Sequence, residues 1–322
     1  MRGQRIGLAA SLLLALASPA DAEPGRNAQP LDWLVRMAQS AQMLNYAGTY
    51  IFTHDGRAET SRVVHINDGS SEHARIQALD GPPREIIRES GVLYCYLPDS
   101  HVVKVDRSEG RQYFPALFSG SPTMLREYYN VNYAGMDRVA GRECQIVQLE
   151  PRDGMRFGYR LCADIQTGLM LRATLEDGTR GVMQQFAFTE IDGSASRTAL
   201  QPSWNADGWL WDRSGMSQTA DSGWSMDAMP PGFHKISELL RRSADGRSVQ
   251  VKQAVYSDGI SAVSLFIEPA RGNAGEAAAT RRGALSFYSI RSGDQQVTAI
   301  GEVPPANVTQ MVKAVNLVKS KP

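Results

Sequence analysis

The stretch Glu143-Cys144-Gln145-Ile146-Val147-Gln148-Leu149-Glu150, then Pro151-Arg152-Asp153-Gly154-Met155, then Arg156-Phe157-Gly158-Tyr159-Arg160-Leu161-Cys162, reads as two strands around a turn. Asp153-Gly154 is a hairpin signal, and the flanking runs pair antiparallel. If Glu150 faces Arg156, then Val147 faces Tyr159 and Leu149 faces Phe157, with Leu161 on the same side because side chains alternate with period two. One face is therefore strongly apolar. Gly168 opens a third run, Leu169 to Leu175, and Asp177-Gly178 turns it into a fourth, Val182 to Ile191. The segment is an up-and-down meander whose apolar face has to be covered by a helix, a second sheet or a bound apolar ligand.

The same register sets Cys144 opposite Cys162, on the face away from Val147 and Tyr159. Facing residues lie about 4.5–5.5 Å apart at Cα, within reach of a disulfide. A cross-strand bridge and two separate small buried residues are the alternatives. The third cysteine, Cys95, stands inside Leu93-Tyr94-Cys95-Tyr96-Leu97 and reads as a buried strand thiol with no neighbouring charge to activate it.

Working outward, strands are expected at Tyr46 to Phe52, Arg62 to Ile66, His73 to Leu79, Glu85 to Glu89, Val92 to Leu97 and Val102 to Asp106, separated by Asp-Gly, Gly-Pro-Pro and Pro-Asp-Ser turns. They follow one amphipathic helix, with Leu31, Leu34, Val35, Ala38 and Ala41 at three-four spacing and Asp32 in the first turn, ending near Leu44. A sheet of that width curls, and the helix can plug it. Between the strand groups, Tyr113 to Tyr129 contains Phe114, Leu117 and Phe118, then a short helix opened by Ser121-Pro122 and carrying Met124 and Leu125. It is either a lid or a closure that buries its own side chains.

At 322 residues the chain is long for one core. Residues 1–22 read as a secretory leader: Arg2 and Arg5 precede the apolar run Ile6 to Ala20 and the small-residue site Ala20-Asp21-Ala22. That run falls short of the ~20 apolar residues a spanning helix needs. The mature product is expected to start at Glu23 and to be soluble and exported. Removing Arg2, Arg5 and Asp21 from 34 basic and 34 acidic residues leaves 32 against 33, a net charge of −1. Nothing there favours nucleic acid as a partner.

Residues 23–203 are expected to form the first domain and 204–223 a tryptophan-rich linker holding Trp204, Trp209 and Trp211, which reads as domain-domain packing or, less simply, a partner site. The second domain, 224–322, follows with strands at Lys235 to Leu240, Val249 to Ser257, Ala262 to Glu268, Leu285 to Arg291 and Val297 to Glu302. A closing helix starts at Pro304-Pro305 with the stripe Val308, Met311, Val312 and Val315. Ala270 to Arg282 reads as a mobile loop. The class is α+β, mostly β.

The five histidines never stand at metal-ligand spacing, and no Cys-x-x-Cys, nucleophile elbow or phosphate loop occurs. Cys95 with His101 across the Pro98-Asp99-Ser100 turn is the nearest approach to a nucleophile pair, and a packed strand interior describes Cys95 better. Neither an enzyme nor a cofactor is indicated. A binding protein is, since a curled sheet with an apolar concave face suits acyl chains.

Several long motifs resemble the RseB/MucB family: Tyr256-Ser257-Asp258-Gly259-Ile260-Ser261-Ala262-Val263-Ser264-Leu265-Phe266-Ile267-Glu268-Pro269, Gln296-Val297-Thr298-Ala299-Ile300-Gly301-Glu302-Val303-Pro304, Met229-Pro230-Pro231-Gly232-Phe233, and the meander's Leu149-Glu150-Pro151-Arg152-Asp153 with Arg156-Phe157-Gly158-Tyr159. The resemblance covers essentially the whole mature chain. It implies an unclosed, helix-filled half-barrel like that of the LolA and LolB lipoprotein carriers, with a smaller antiparallel domain beside it. It also implies a periplasmic regulator of the envelope stress response that binds the periplasmic region of a membrane-spanning anti-sigma factor (RseA or MucA) and shields it from regulated proteolysis. In such a scheme lipopolysaccharide or a related lipid displaces the regulator, a sigma-E-type factor is freed, and in pseudomonads alginate production follows; dimers are usual. On that reading Phe114, Leu117, Phe118, Met124 and Leu125 line or cover a lipid site, and the second domain around Tyr256 and Phe266 contributes most to the anti-sigma contact. The competing reading from another class is an acyl-chain or lipoprotein carrier, which would need only the first domain. A hydrolase stands third.

Overall fold

The computed structural model describes residues 29–107, 117–215, 224–242, 250–270 and 279–317. The leader read at residues 1–22, Phe114, and most of the loop read at Ala270 to Arg282 lie outside the described residues.

Helix α1 (Pro30–Met43) begins with Pro30 at its first position, where a missing N–H costs nothing, and the Asp32 carboxylate accepts a hydrogen bond from the Gln29 N–H at 2.8 Å. Trp33, Leu34, Met37 and Ala41 form its buried stripe. The strands that follow are β1 (Tyr46–His54), β2 (Arg57–Asn67), β3 (Glu72–Ala78), β4 (Glu85–Glu89), β5 (Val92–Leu97) and β6 (Val102–Arg107). After a 3-10 turn at Pro122–Glu127 come β7 (Tyr129–Val139), β8 (Arg142–Pro151), β9 (Gly158–Asp164), β10 (Met170–Asp177), β11 (Gly181–Asp192) and β12 (Leu210–Gly215).

These twelve strands form one sheet in the order β12-β6-β5-β4-β3-β2-β1-β11-β10-β9-β8-β7. All neighbours are antiparallel except β12, which lies parallel to β6. The sheet does not close, so β12 and β7 are its edges. It curls around α1, as wide twisted sheets do, and Tyr50, Val63, Val147, Leu149, Leu161 and Phe188 join Trp33, Leu34 and Met37 in one core. A half-barrel filled by a helix is the result.

Register within the meander differs from the sequence expectation by two residues. Val147 faces Leu161 and Leu149 faces Tyr159. The reason lies in the turn: Arg156, expected to face Glu150, leaves the strand and turns its guanidinium toward Asp153 and Asp258, so β9 starts only at Gly158. A shift of two preserves the faces. Cys144 therefore faces Asp164, and Cys162 faces Ile146, yet both cysteines stay on the outer face as diagonal neighbours. Their Cα atoms are 5.4 Å apart and a disulfide joins them.

Two other expectations need correction. The described part of the tryptophan-rich stretch packs chiefly on the first sheet, and it also approaches the second domain. Trp209 and Trp211 lie across the outer face of the first sheet, against Tyr94 and Tyr96 and above the patch of Ile87, Val103 and Val105. An apolar face on the outside of a curled sheet needs a cover, and the chain's return path supplies one. The closing helix also ends sooner than its stripe suggested.

The second sheet follows β13 (Trp224–Met226) and comprises β14 (His234–Arg242), β15 (Gln250–Ser257), β16 (Ala262–Pro269), β17 (Thr280–Arg282), β18 (Leu285–Ser292) and β19 (Gln295–Gly301), in the order β14-β15-β16-β19-β18-β17. Helix α2 (Pro305–Lys313) covers one face with Val308, Met311 and Val312. Val315, read as the helix's last apolar position, begins β20 (Val315–Leu317), which pairs with β13. Arg281 and Arg282, at the end of the expected loop, are in β17.

Candidate functional site: the junction between the two sheets

The two sheets meet along the β8-β9 turn, the 3-10 turn at Pro122–Glu127 and the β15-β16 hairpin. At the centre, Arg156 Nε donates to Asp258 Oδ2 at 2.7 Å, and both side chains are fully enclosed. The remaining donors of Arg156 go to Asp153 and to the Pro231 carbonyl, while the guanidinium lies 4.5 Å from the Tyr128 ring centre and 5.1 Å from that of Phe233. Arg suits such a place because its planar fork satisfies several acceptors and stacks on aromatic faces at once. Asp258 Oδ1 in turn accepts the Ile260 and Ser261 N–H groups at 3.1 and 2.8 Å, which holds the hairpin tip in shape.

Around this pair the contacts are polar, and all but the Asn307 Oδ1 atom find partners. Tyr129 Oη donates to Asp258 Oδ2 at 3.3 Å, and Tyr159 Oη is hydrogen bonded to Ser261 Oγ at 3.1 Å. Burial pushes both phenols up, so they stay protonated. Ser119 donates its N–H to the Gly259 carbonyl at 2.8 Å and bonds through its hydroxyl to Ser257 at 2.5 Å. Asn307, fully buried on α2, donates to the Met155 carbonyl at 3.0 Å. Close approach matters as well: a Cβ on Gly232, at φ +81°, would overlap the Tyr128 ring.

A second set lies nearer the rim. Arg281 Nη1 donates to Asp177 Oδ2 at 2.7 Å, and its guanidinium lies 4.9 Å from the Phe157 ring centre. The Thr179 backbone N–H and the Arg281 side chain hold the Asp177 carboxyl down, to about 2. Gln184 Nε2 donates to Glu302 Oε2 at 3.1 Å. Such an arrangement can fix, or release, the relation between two folded bodies.

The sequence-predicted residues distribute unevenly over this region. Phe118 and Leu125 are buried in the core of the first sheet, Leu117 packs against it, and Met124 is 52% exposed. Leu125 also lies beneath the hairpin tip, near Gly259. Tyr256 is buried on the α2 face of the second sheet, edge-on to Trp224, where burial raises its hydroxyl to about 12. Phe266 is half-buried on the opposite face, paired with Gln253 and Thr298, so the two are not brought together. Cys95 is half-buried and burial pushes its thiol up, while His101 lies edge-on to Trp209.

Arg156, Asp258, Ser261 and Asn307 carry the junction and were not singled out from sequence. A signal did exist. Ser257-Asp258-Gly259-Ile260-Ser261 holds more polar groups than a tight turn needs, between two runs that are otherwise apolar.

Comparison with known proteins places the chain among these. A family model described as the MucB/RseB N-terminal domain matches residues 29–205, and one described as the MucB/RseB C-terminal domain matches residues 218–316. The Pseudomonas aeruginosa sigma factor AlgU regulatory protein MucB is 28% identical over 299 residues, covering 91% of this chain and 93% of its own. The Haemophilus influenzae sigma-E factor regulatory protein RseB is 27% identical over 319 residues, covering 95% and 96%. Among solved structures, MucB in complex with MucA(peri) superposes with a TM-score of 0.71 at 26% identity, over 91% of this chain and 100% of that one.

Proposed function

We propose, from the premise that this chain belongs to the MucB/RseB family, that it regulates a sigma-E-type factor by binding the periplasmic region of a membrane-spanning anti-sigma factor. The observation that carries this reading is the likeness, over 91% of the chain, to a MucB solved with MucA(peri) bound. Apart from β12, both sheets and the junction fall within the family matches, so the reading concerns the whole two-domain body and not one half of it.

The finer reading is a shielding mechanism in the periplasm. The bound regulator keeps the anti-sigma segment from regulated proteolysis, and lipopolysaccharide or a related lipid releases it. Leu117, Phe118, Met124 and Leu125, with Phe114, form the lipid-responsive segment; its support is that the 3-10 turn carrying Leu125 packs under the Asp258-Gly259 tip, so a lipid displacing it would act on the junction. Phe266, and Tyr256 behind it, give the second sheet its share of the partner contact. A homodimer is the expected assembly. A ligand shifts such an equilibrium only by its differential affinity for two arrangements, so partner and lipid must prefer different relations between the sheets.

Calorimetric titration of the chain from Glu23 with the periplasmic segment of the same organism's anti-sigma factor, alone and with lipopolysaccharide, tests this. Binding that the lipid weakens is the expected result. Absence of binding in both conditions would end the regulatory reading.

A further inference from the structure

Among the features that the junction and the α1-filled concavity leave without a role, one is lined by aromatic rings. On the outer face of the first sheet, between β4-β5 and the returning chain, lies a cavity of about 380 Å³. We infer that it is a binding site for a short saccharide, separate from the anti-sigma and lipid surfaces.

Size sets the class first. Small-molecule sites run from ~300 to 1,000 Å³, so this cavity takes about two sugar rings and not a folded peptide. Ile87, Tyr94, Tyr96 and Trp211 are among its lining residues. The Trp211 indole is 40% exposed, and the rings of Tyr94 and Tyr96 brace it edge-on at 6.3 and 6.4 Å. The ring is thus held in place before any ligand arrives, which reduces the ordering cost of binding.

The charge pattern narrows the class further. Arg197 and His73 are both engaged with Asp68, and Arg88 is engaged with Glu72 through Nη2 while its Nε is enclosed without a partner, so each cation at the rim already has a carboxylate beside it. Exposed Glu89 would repel an anion. A bare hydrocarbon would desolvate Glu89 and Gln201 with nothing returned. A pyranose ring answers both demands: its C–H face stacks on an indole, and its hydroxyl edge bonds to a carboxylate and an amide. Among the described residues no side-chain hydrogen bond engages the Glu89 carboxylate, an acceptor, or the Gln201 amide, a donor and acceptor, which leaves both for a ligand.

Trp211 belongs to β12, and parallel pairing with β6 sets it opposite Val103. The cavity is therefore assembled by the segment that runs between the two sheets.

The experiment is a titration of the chain from Glu23, by tryptophan fluorescence and calorimetry, with two probes: a muramyl disaccharide for a cell-wall glycan and a lipid-free core oligosaccharide for a surface glycolipid. At least one should bind, and which one does identifies the source. Trp211→Ala should weaken that binding about tenfold or more, and Glu89→Gln severalfold. The affinity for the anti-sigma segment should be unchanged in both variants, which separates this site from the regulatory reading. Circular dichroism checks the fold; if Trp211→Ala is misfolded, Trp211→Phe and Glu89→Gln decide. Binding of neither probe at millimolar concentration, or binding that Glu89→Gln and the tryptophan variant leave unaltered, would overturn the assignment.

Discussion

Two interfaces of this molecule are built on opposite principles. Inside the half-barrel, α1 meets the first sheet through Trp33, Leu34 and Met37, apolar groups whose attraction is non-directional and scales with area. At the junction, the first sheet meets the second through an enclosed Arg156–Asp258 pair and hydroxyl bonds from Tyr129, Tyr159 and Ser119. An apolar filling tolerates small changes of angle, because any contact of similar area serves. A buried polar set does not: it is satisfied in one geometry and costly in the near misses. The helix therefore stabilises the fold, while the junction selects one arrangement of the two sheets. A surface of the second kind can switch, since partial opening is its worst state.

The most disruptive test of that contrast is Asp258→Ala. It leaves the enclosed Arg156 with Asp153 as its one remaining carboxylate and the Ile260 and Ser261 N–H groups without an acceptor, and a loss of about 3 kcal/mol is expected, at the low end of that for a broken buried pair. Arg156→Met with Asp258→Leu should recover part of the stability, because it removes the enclosed charge, although the Ile260 and Ser261 N–H groups and the Tyr129 hydroxyl lose their acceptor. Chemical denaturation measures both. The rescued variant should show a broadened distribution of inter-sheet distances by small-angle scattering or spin-label spectroscopy. Unchanged distances in it would mean that the ion pair does not select the arrangement.

The complementary test lies in the helix. Leu34 is fully buried, and Leu34→Ala should cost about 3 kcal/mol through lost transfer energy and the cavity left behind. Its effect on the inter-sheet distances should be nil. A shift in those distances comparable to that of the junction variant would erase the proposed division of labour.

Much of the architecture was legible because strands announce themselves by alternation. β4 and β5 have the bounds read from the sequence, Glu85–Glu89 and Val92–Leu97. The faces of the meander were legible too, although its register was not, since parity survives a two-residue shift that only the length of the turn decides. β7 went unread because a register irregularity between Tyr133 and Met136, around Gly135, breaks the alternation. β12 was obscured by its composition, Trp, Gly, Ser and Asp, which resembles a loop. The junction was illegible for a different reason. Arg156 and Asp258 are 102 positions apart, and no local pattern announces that an arginine beside one turn will be enclosed by an aspartate in another.

The smallest expected effect comes at the rim of the junction, where pH supplies the perturbation. Asp177 lies on β10 and Arg281 on β17, so their bond at 2.7 Å ties the two sheets. In the folded protein the Asp177 carboxyl is held at about 2 by the Thr179 N–H and by Arg281, below the range of about 3.9 for a free aspartate. A depressed carboxyl contributes stability that is complete above the unfolded value and disappears as pH falls through the folded one. The rim tie should therefore hold above about pH 4 and fade between about pH 4 and pH 2. The pair is close to solvent and screened by salt, so the change should be slight, and smaller in high salt than in low. Unfolding curves collected across that interval for the native chain and for Asp177→Asn isolate it: the variant should lose the acid-dependent component and match the native chain near pH 2. If instead the two curves keep a constant separation from pH 6 to pH 2, the rim contact is not electrostatic, and the polar character of the junction would reside entirely in its enclosed centre.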